Sequence, residues 1–375
     1  MDFEVMIFLS CYKYSYCSTM DSSTKEECSE AQNDIFILPV YILSLILTKL
    51  SRTDILNVKL VSRGFYNIIH ENYHLLDRRK VRCVHIEYDK RYGRHPFCLK
   101  MAFGNVIGEN LHIINYRHNE KSAYFECDEG LSRFLKMFDI KHLDYLHVSS
   151  IDDNINIFGI LNKFFQKGTK ADVLSISKLS EKDLTSFLTF IRKFASVRQI
   201  TLNHICAPSM GTKDVCSLFS SLSSFNTIKY FRIVECHKTM ILSTDFVINL
   251  LRNNPNIKHL DVGSCNINFL GNVFKEFFVM KQPRIMKNEC DNIETILVLF
   301  FGCELKQLDD ILRKDFSFTE NAIEEVLSEE IFSREFKEYE SKLYCRYCPK
   351  NRHEINRFAR VYYCDNTCQK LDSIF

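Results

Sequence analysis

Four cysteines near the end of the chain have the spacing of a metal site. Cys345 and Cys348 form a C-x2-C pair, and fifteen residues separate it from the C-x3-C pair of Cys364 and Cys368. Each pair can supply two thiolate corners of a tetrahedron, which is the geometry that Zn²⁺ takes in structural sites. We therefore predict one structural zinc with these four residues as ligands. A metal-free tail with free thiols remains the alternative.

The residues around the second pair also resemble a MYND-type zinc finger, in the segment VYYCDNTCQKLD over 361–372. In that family four pairs of ligands bind two zinc ions. Here the first and third pairs are present, Ile355 and Phe358 stand where the second pair would be, and no fourth pair follows. The resemblance implies a reduced finger over 341–375 that binds a single zinc.

The chain has no sequence motif of a common enzyme class. It contains no glycine-rich phosphate loop, no H-E-x-x-H and no G-x-S-x-G. Cys83 and His85 could form a nucleophile and base, but residues two apart in a strand share a face and are commonly packing neighbours. We predict that the protein is not an enzyme. A site built from residues distant in sequence is the remaining alternative.

Three short helices are indicated between residues 38 and 70. Pro39 suits a first helical turn. Ser51 with Asp54 forms a capping box for a second helix, and Ser62 can cap a third. The first helix has an apolar stripe at spacings of three and four, made of Ile42, Leu43, Ile46, Leu47 and Leu50. This unit has more apolar residues than it can bury alone, which indicates a partner surface.

The order of these residues resembles the F-box: Leu-Pro, an Ile/Leu-rich helix, Leu-Ser-x-x-Asp, then Leu-Val-Ser-Arg and an aromatic residue. The resemblance implies an F-box over 34–80 that docks on a Skp-type adaptor and, through it, a cullin. An ordinary self-buried helical bundle is the alternative. The adaptor-binding residues that the resemblance implies are Leu38, Pro39, Ile42, Ile46, Leu50, Asp54, Ile55, Val58, Leu60 and Val61.

A repeating pattern follows a β-rich connector over 81–130. Five strand-like segments recur about 26 to 31 residues apart, with helical segments between them. The segments begin at Leu143, Val173, Ile200, Phe231 and Leu260. Leu202, Ile233 and Val262 should point inward, whereas Asn203, Glu235 and Gly263 should lie toward the exposed edge. One such unit cannot bury its own apolar face, so neighbouring units must stack.

The series resembles degenerate leucine-rich repeats, although it has no regular asparagine ladder. Together with the preceding helices it also resembles the F-box families expanded in nematodes, whose C-terminal region binds substrates. We predict an irregular α/β solenoid over 131–340, closed by an amphipathic helix over 319–339. An α/β fold with a closed sheet is the alternative. Residues that could line a recognition face are His142, His147, Arg232, His237 and His259.

Composition and charge give further limits. The formal net charge of +2 favours neither a nucleic-acid nor a polyphosphate partner. Residues 1–33 contain a polar, acidic stretch typical of disorder. No apolar run approaches the roughly 20 residues of a membrane span. With sixteen cysteines and no signal-peptide pattern, we expect an intracellular protein, cytoplasmic or nuclear, with mostly reduced thiols.

Taken together, these features predict an α+β multidomain protein: a three-helix F-box, a small β region and an irregular leucine-rich-repeat-like solenoid with a zinc tail. The predicted function is substrate recognition in a Skp–cullin–F-box type ubiquitin ligase, with a target protein that the residues do not identify. A ligase-independent interaction scaffold is the alternative.

Overall fold

The computed structural model describes residues 38–72, 75–76, 78–103, 120–150, 155–207, 220–222, 225–236, 239–280, 294–301, 307, 310–311, 324–327, 336–344 and 354–363. The chain forms two compact units. The first contains Met1–Val84 and Lys90–His142, and the second contains His85–Asp89 and Leu143–Phe375. The predicted F-box and most of the predicted connector therefore lie in the first unit.

Three helices open the first unit, at the positions that the capping residues predicted. They are α1 (Val40–Leu47), α2 (Arg52–Val61) and α3 (Arg63–Glu71). Ser51 Oγ accepts a hydrogen bond from the Asp54 amide at 3.2 Å and donates one to its carboxylate at 2.7 Å. Ser62 Oγ accepts from the Phe65 amide at 3.2 Å, which begins α3. These local bonds satisfy amides that a helix start leaves unpaired.

The rest of the first unit is a small α/β assembly. Strands β1 (Arg79–Lys80) and β5 (Phe138–Asp139) pair in parallel, and β3 (Phe97–Ala102) pairs with β4 (Glu120–Phe125) in antiparallel. Helix α4 (Asp128–Leu135) packs against β3 and β4. The ring of Phe134 lies 5.2 Å from that of Phe125 and 5.3 Å from that of Phe138, so three aromatic side chains form its core.

A largely parallel sheet dominates the second unit. The strands β7 (Thr169–Ile176), β9 (Phe194–Cys206), β10 (Tyr230–Glu235), β11 (His259–Ser264), β12 (Glu294–Phe301) and β15 (Glu354–Tyr363) lie side by side in that order, each parallel to the next. Strand β6 (His142–Ser150) lies between β7 and the part of β2 (Cys83–Tyr88) that belongs to this unit, and β8 (Leu179–Ser180) pairs with the end of β9.

Helices connect several of these strands, which confirms the expected alternation of strand and helix. They are α5 (Ile157–Leu161), α6 (Leu184–Ile191), α7 (Thr244–Asn253) and α8 (Ile267–Val279). Ser243 caps α7, since its hydroxyl accepts from the Phe246 amide at 3.3 Å. All five predicted strand segments lie in strands, namely β6, β7, β9, β10 and β11. The region is a mixed α/β structure with a large sheet.

Both faces of this sheet are covered near β11 and β12. Leu202, Ile233 and Val262 are in register on one face and fully buried, as predicted. On the other face, Asp261 and its register partner Val298 are also buried. The expected exposure of Glu235 and Gly263 is wrong, because both residues are buried. Parallel sheets commonly have both faces covered, so an open face cannot be assumed here.

The predicted closing helix over 319–339 is wrong where the structure describes it. Residues there form the strands β13 (Glu324–Leu327) and β14 (Phe336–Tyr344). Strand β14 pairs in antiparallel with β15, and the buried Tyr339 ring packs 5.1 Å from that of Phe274. The boundary predicted between 340 and 341 thus falls inside β14. The segment forms a strand and not a helix because sheet pairing overrides the helical spacing of short apolar runs.

Candidate functional site

The three-helix unit buries one set of apolar side chains and exposes another. Leu43 and Leu47 of α1 pack in its core, with Ile68 and Ile69 of α3. Ile55, predicted to contact the adaptor, is only 3 % exposed. In the free chain this side chain supports the packing of α2 and is not presented to a partner.

A continuous apolar stripe lies on the outer side of α1. We define the α1 stripe as Leu38, Tyr41, Ile42, Leu45 and Ile46, whose spacings of three and four place them on one side of a helix. Four of them are 39 to 66 % exposed and Ile42 is half-buried. Burying one such aliphatic side chain fully contributes about 1.5–3 kcal/mol. An uncharged stripe of this size favours a protein partner.

The other predicted contact residues differ in their surroundings. Leu60 and Val61, at the end of α2, are 59 % and 71 % exposed. Pro39 and Asp54 are exposed, and the Asp54 carboxylate is held by Ser51. Leu50 and Val58 are half-buried.

Three exposed apolar residues of α1 were not predicted as contacts. They are Val40, Tyr41 and Leu45. Leu45 lies off the predicted apolar stripe and yet is apolar, and this was the signal that the helix has a second apolar side. The exposed side therefore differs from the predicted stripe, which includes the buried Leu43 and Leu47.

Comparison with known families agrees with this geometry. Residues 35–80 match the F-box-like family model. No curated protein matches the chain. The chain therefore carries an F-box-like domain, a class of domain that typically binds Skp-type adaptors, and this supports a role as an F-box adaptor in ligases of the Skp–cullin–F-box type.

The predicted zinc ligands Cys345, Cys348, Cys364 and Cys368 lie outside the described residues, so this ligand set stays a prediction. Cys345 directly follows the described residue Tyr344, and Cys364 directly follows the described residue Tyr363. Tyr344 pairs with Glu354 at the start of β15, whereas Tyr363 is the last residue of that ten-residue strand. At about 3.3 Å per residue, these ends are about 30 Å apart. One zinc bound by all four cysteines would require part of this strand pairing to open.

A different group of side chains, with the donor atoms that metals take, comes together in the second unit. Ligand atoms of His204, Cys206 and Cys236 all lie within 4.8 Å of one another. No local sequence motif marks this group, because Cys236 is distant along the chain from His204 and Cys206. Five described cysteines, among them Cys206 and Cys236, form no disulfide, while Cys265 is disulfide-bonded. The expected reduced state therefore does not extend to Cys265.

Two of the histidines expected at a recognition face are instead engaged within the sheet. His147 Nδ1 lies 3.1 Å from Ser175 Oγ, its Nε2 lies 3.1 Å from Ser177 Oγ, and its ring lies 4.4 Å from that of His85. His259 Nε2 lies 2.6 Å from an Asp261 carboxylate oxygen. Burial, and secondarily the nearby His85, lowers the pKa of His147 to about 4.

This pKa predicts a pH-dependent stability. The folded chain disfavours the charged His147 imidazole. The pKa of this group is 6.5 in the unfolded chain and about 4 in the folded chain, so between these pH values the unfolded chain binds more protons. The free energy of unfolding should therefore fall as the pH falls through this range, by at most about 3 kcal/mol from this group. Urea unfolding at about pH 7 and about pH 5 measures the change.

A His147→Gln variant should lose this part of the pH dependence because its side chain does not titrate. His142→Gln, which changes the exposed histidine of the same strand, is the matched control and should retain the wild-type dependence. Equal pH dependence in wild type and His147→Gln would contradict the assignment.

No helix in the described part of the chain is long and apolar enough to cross a membrane.

Proposed function

We propose that this protein is the substrate-recognition subunit of a Skp–cullin–F-box type ubiquitin ligase. The observation that carries the proposal is the exposed α1 stripe within the domain that matches the F-box-like model. The chain would act by holding a target protein near the ligase. This raises the effective concentration of the target without covalent chemistry in this chain.

The adaptor would bind the α1 stripe together with Leu60 and Val61. All seven residues are apolar, and six of them are exposed. The capping bonds of Ser51 and Ser62 determine where α2 and α3 begin and thus hold the surface in one shape. A preformed surface loses little conformational entropy on binding, which favours affinity.

Co-purification separates this proposal from the alternative of a ligase-independent scaffold. Tagged full-length chain should recover both a Skp-type adaptor and a cullin in comparable amounts. Recovery of the adaptor without cullin would favour the scaffold. Recovery of neither, from a chain whose helices are intact by circular dichroism, would contradict the leading proposal.

We infer that the second unit binds the target protein. Its support is the series of parallel strands with intervening helices, which resembles a leucine-rich-repeat scaffold for protein recognition. Proximity labelling with wild type and with a variant that cannot bind the adaptor should label the same targets, and these should accumulate only with the variant. Labelled sets with no protein in common would contradict this division of roles.

A further inference from the structure

The group formed by His204, Cys206 and Cys236 lies where two parallel strands end. His204 and Cys206 are at the end of β9, and Cys236 directly follows β10. Ligand sites in α/β sheets lie preferentially outside the carboxyl ends of parallel strands. The position is therefore suited to a site, independently of the residue types.

A β-bulge brings the two cysteines level with each other. Ile233 pairs with Leu202, but Glu235 pairs with Ile205, so β9 has one residue more than β10 over this interval. Without the extra residue, Ile205 would lie opposite Cys236. With it, the Cys236 amide donates to the Ile205 carbonyl at 2.9 Å, and the Sγ atoms of Cys206 and Cys236 are 3.2 Å apart. Bulges of this kind redirect side chains and are frequent next to functional sites.

His204 completes a set of three donors. It is two residues from Cys206 and so can lie on the same side of β9. Its ligating nitrogen is within 4.8 Å of both sulfur atoms. His204 and Cys206 are half-buried, whereas Cys236 is buried, so an ion could enter from one side.

The side chain of Thr239 contacts the sulfur of Cys236 and positions it. Its hydroxyl oxygen accepts a hydrogen bond from the Ala207 amide at 2.8 Å and lies 3.1 Å from Cys236 Sγ. Either atom can donate in this contact while Cys236 is a thiol, but once the sulfur is ionised only the hydroxyl has a proton to donate. Such a donor stabilises a thiolate and orients it, as outer partners of metal ligands do.

Glu235 fixes the segment that follows Cys236. One of its carboxylate oxygens accepts from the amides of Ile241 and Leu242 at 2.9 and 3.0 Å, and the other accepts from the Ser264 hydroxyl. Both oxygens are thus engaged, and the carboxylate acts in positioning and not as a fourth donor. The group is therefore held by hydrogen bonds from β9, β11 and the segment before α7.

We propose that His204, Cys206 and Cys236 form a binding site for Zn²⁺ with three protein ligands and one open position. Two thiolates and one neutral imidazole are a donor set that Zn²⁺ prefers, and their charge balances the ion. Binding releases the two thiol protons, so affinity rises with pH until both sulfurs are ionised. The site is separate from the predicted zinc of the tail and does not depend on the adaptor-binding role.

Co²⁺ binding by the full-length reduced chain tests the proposal. The tail cysteines are first replaced by serine (Cys345, Cys348, Cys364 and Cys368), so that any remaining thiolate-to-cobalt absorption comes from elsewhere. We expect one equivalent of bound Co²⁺ with this absorption. Cys206→Ser and His204→Ala in the same background should weaken binding by at least about tenfold. Cys98→Ser, which changes a buried cysteine of the first unit, is the matched control and should bind as the background does.

A measurement on the unmodified chain keeps the test independent of whether the variants fold. Zn²⁺ should slow alkylation of Cys206 by iodoacetamide at least about tenfold, and should leave the half-buried Cys127 unchanged. Absence of protection, or a Co²⁺ spectrum unaffected by Cys206→Ser, would overturn the proposal. Formation of a Cys206–Cys236 disulfide in air with no protection by Zn²⁺ would overturn it too and would assign the pair to redox chemistry.

Discussion

Replacement of both Leu45 and Ile46 by aspartate should abolish adaptor binding while the fold remains intact. Both side chains are exposed in the free chain, at 57 % and 44 %, so the change removes little packing. In a complex each would be buried, and the loss of about 1.5–3 kcal/mol for each, together with two carboxylates that must be desolvated, predicts at least about a hundredfold weaker binding. Titration calorimetry with a purified Skp-type adaptor measures the affinity, and thermal unfolding measures the fold.

The chain offers a matched control for this experiment. Met240 and Val279 are also exposed apolar residues, at 66 % and 48 %, but belong to the second unit. The double variant Met240→Asp/Val279→Asp adds the same charge and should bind the adaptor with wild-type affinity. Equal affinity for the adaptor in both double variants would show that the α1 stripe is not the adaptor-binding surface.

Replacement of Arg357 by methionine should strongly destabilise the second unit. Arg357 is 3 % exposed on β15, and one guanidinium nitrogen donates to the carbonyls of Phe277 and Phe278 at 2.9 and 3.1 Å. These carbonyls are at the end of α8 and have no donor within the helix. Burial lowers the pKa of Arg357 to about 10, and this value still leaves it charged at neutral pH.

Methionine fills much of the same volume but leaves both carbonyls without this donor, at about 1–3 kcal/mol each. The desolvation of the buried charge is relieved at the same time, so we expect a net loss of about 3 kcal/mol in the free energy of unfolding. Urea denaturation followed by circular dichroism measures it, as a lower midpoint at an unchanged slope.

Arg360 provides the comparison, three residues further along the same strand. Its Nε lies 2.6 Å from a Glu338 carboxylate oxygen, but the arginine side chain is 34 % exposed. Ion pairs of this kind contribute at most about 1 kcal/mol. Arg360→Met should therefore cost much less than Arg357→Met, and similar losses in the two variants would contradict the role given to Arg357.

The F-box-like helices could be predicted because their signals are local. A capping serine acts on an amide three residues away, so Ser51 and Ser62 determine the helix starts before any tertiary contact forms. The division of the apolar residues between core and surface was predicted less well. Leu43 and Ile46 are only three residues apart, and the packing of α1 against α3 decides which of them is buried.

The C-terminal strands could not be predicted because their pairing is non-local. The spacing of apolar residues over 319–339 suits a helix, yet Phe336–Tyr344 forms a strand because β15 offers a full row of hydrogen-bonding partners. Short apolar runs are compatible with either structure, and the neighbouring chain decides between them.

The amino-acid sequence was sufficient for the F-box-like domain and for the positions of the strands β6, β7, β9, β10 and β11. In each case the signal lies within a few residues or repeats at a regular spacing. The tertiary structure was needed to show which side of α1 faces solvent and that His204, Cys206 and Cys236 meet. The one extra residue of the bulge in β9 brings these side chains together. The sequence does not show this, because strand register depends on backbone pairing between segments that are distant in sequence.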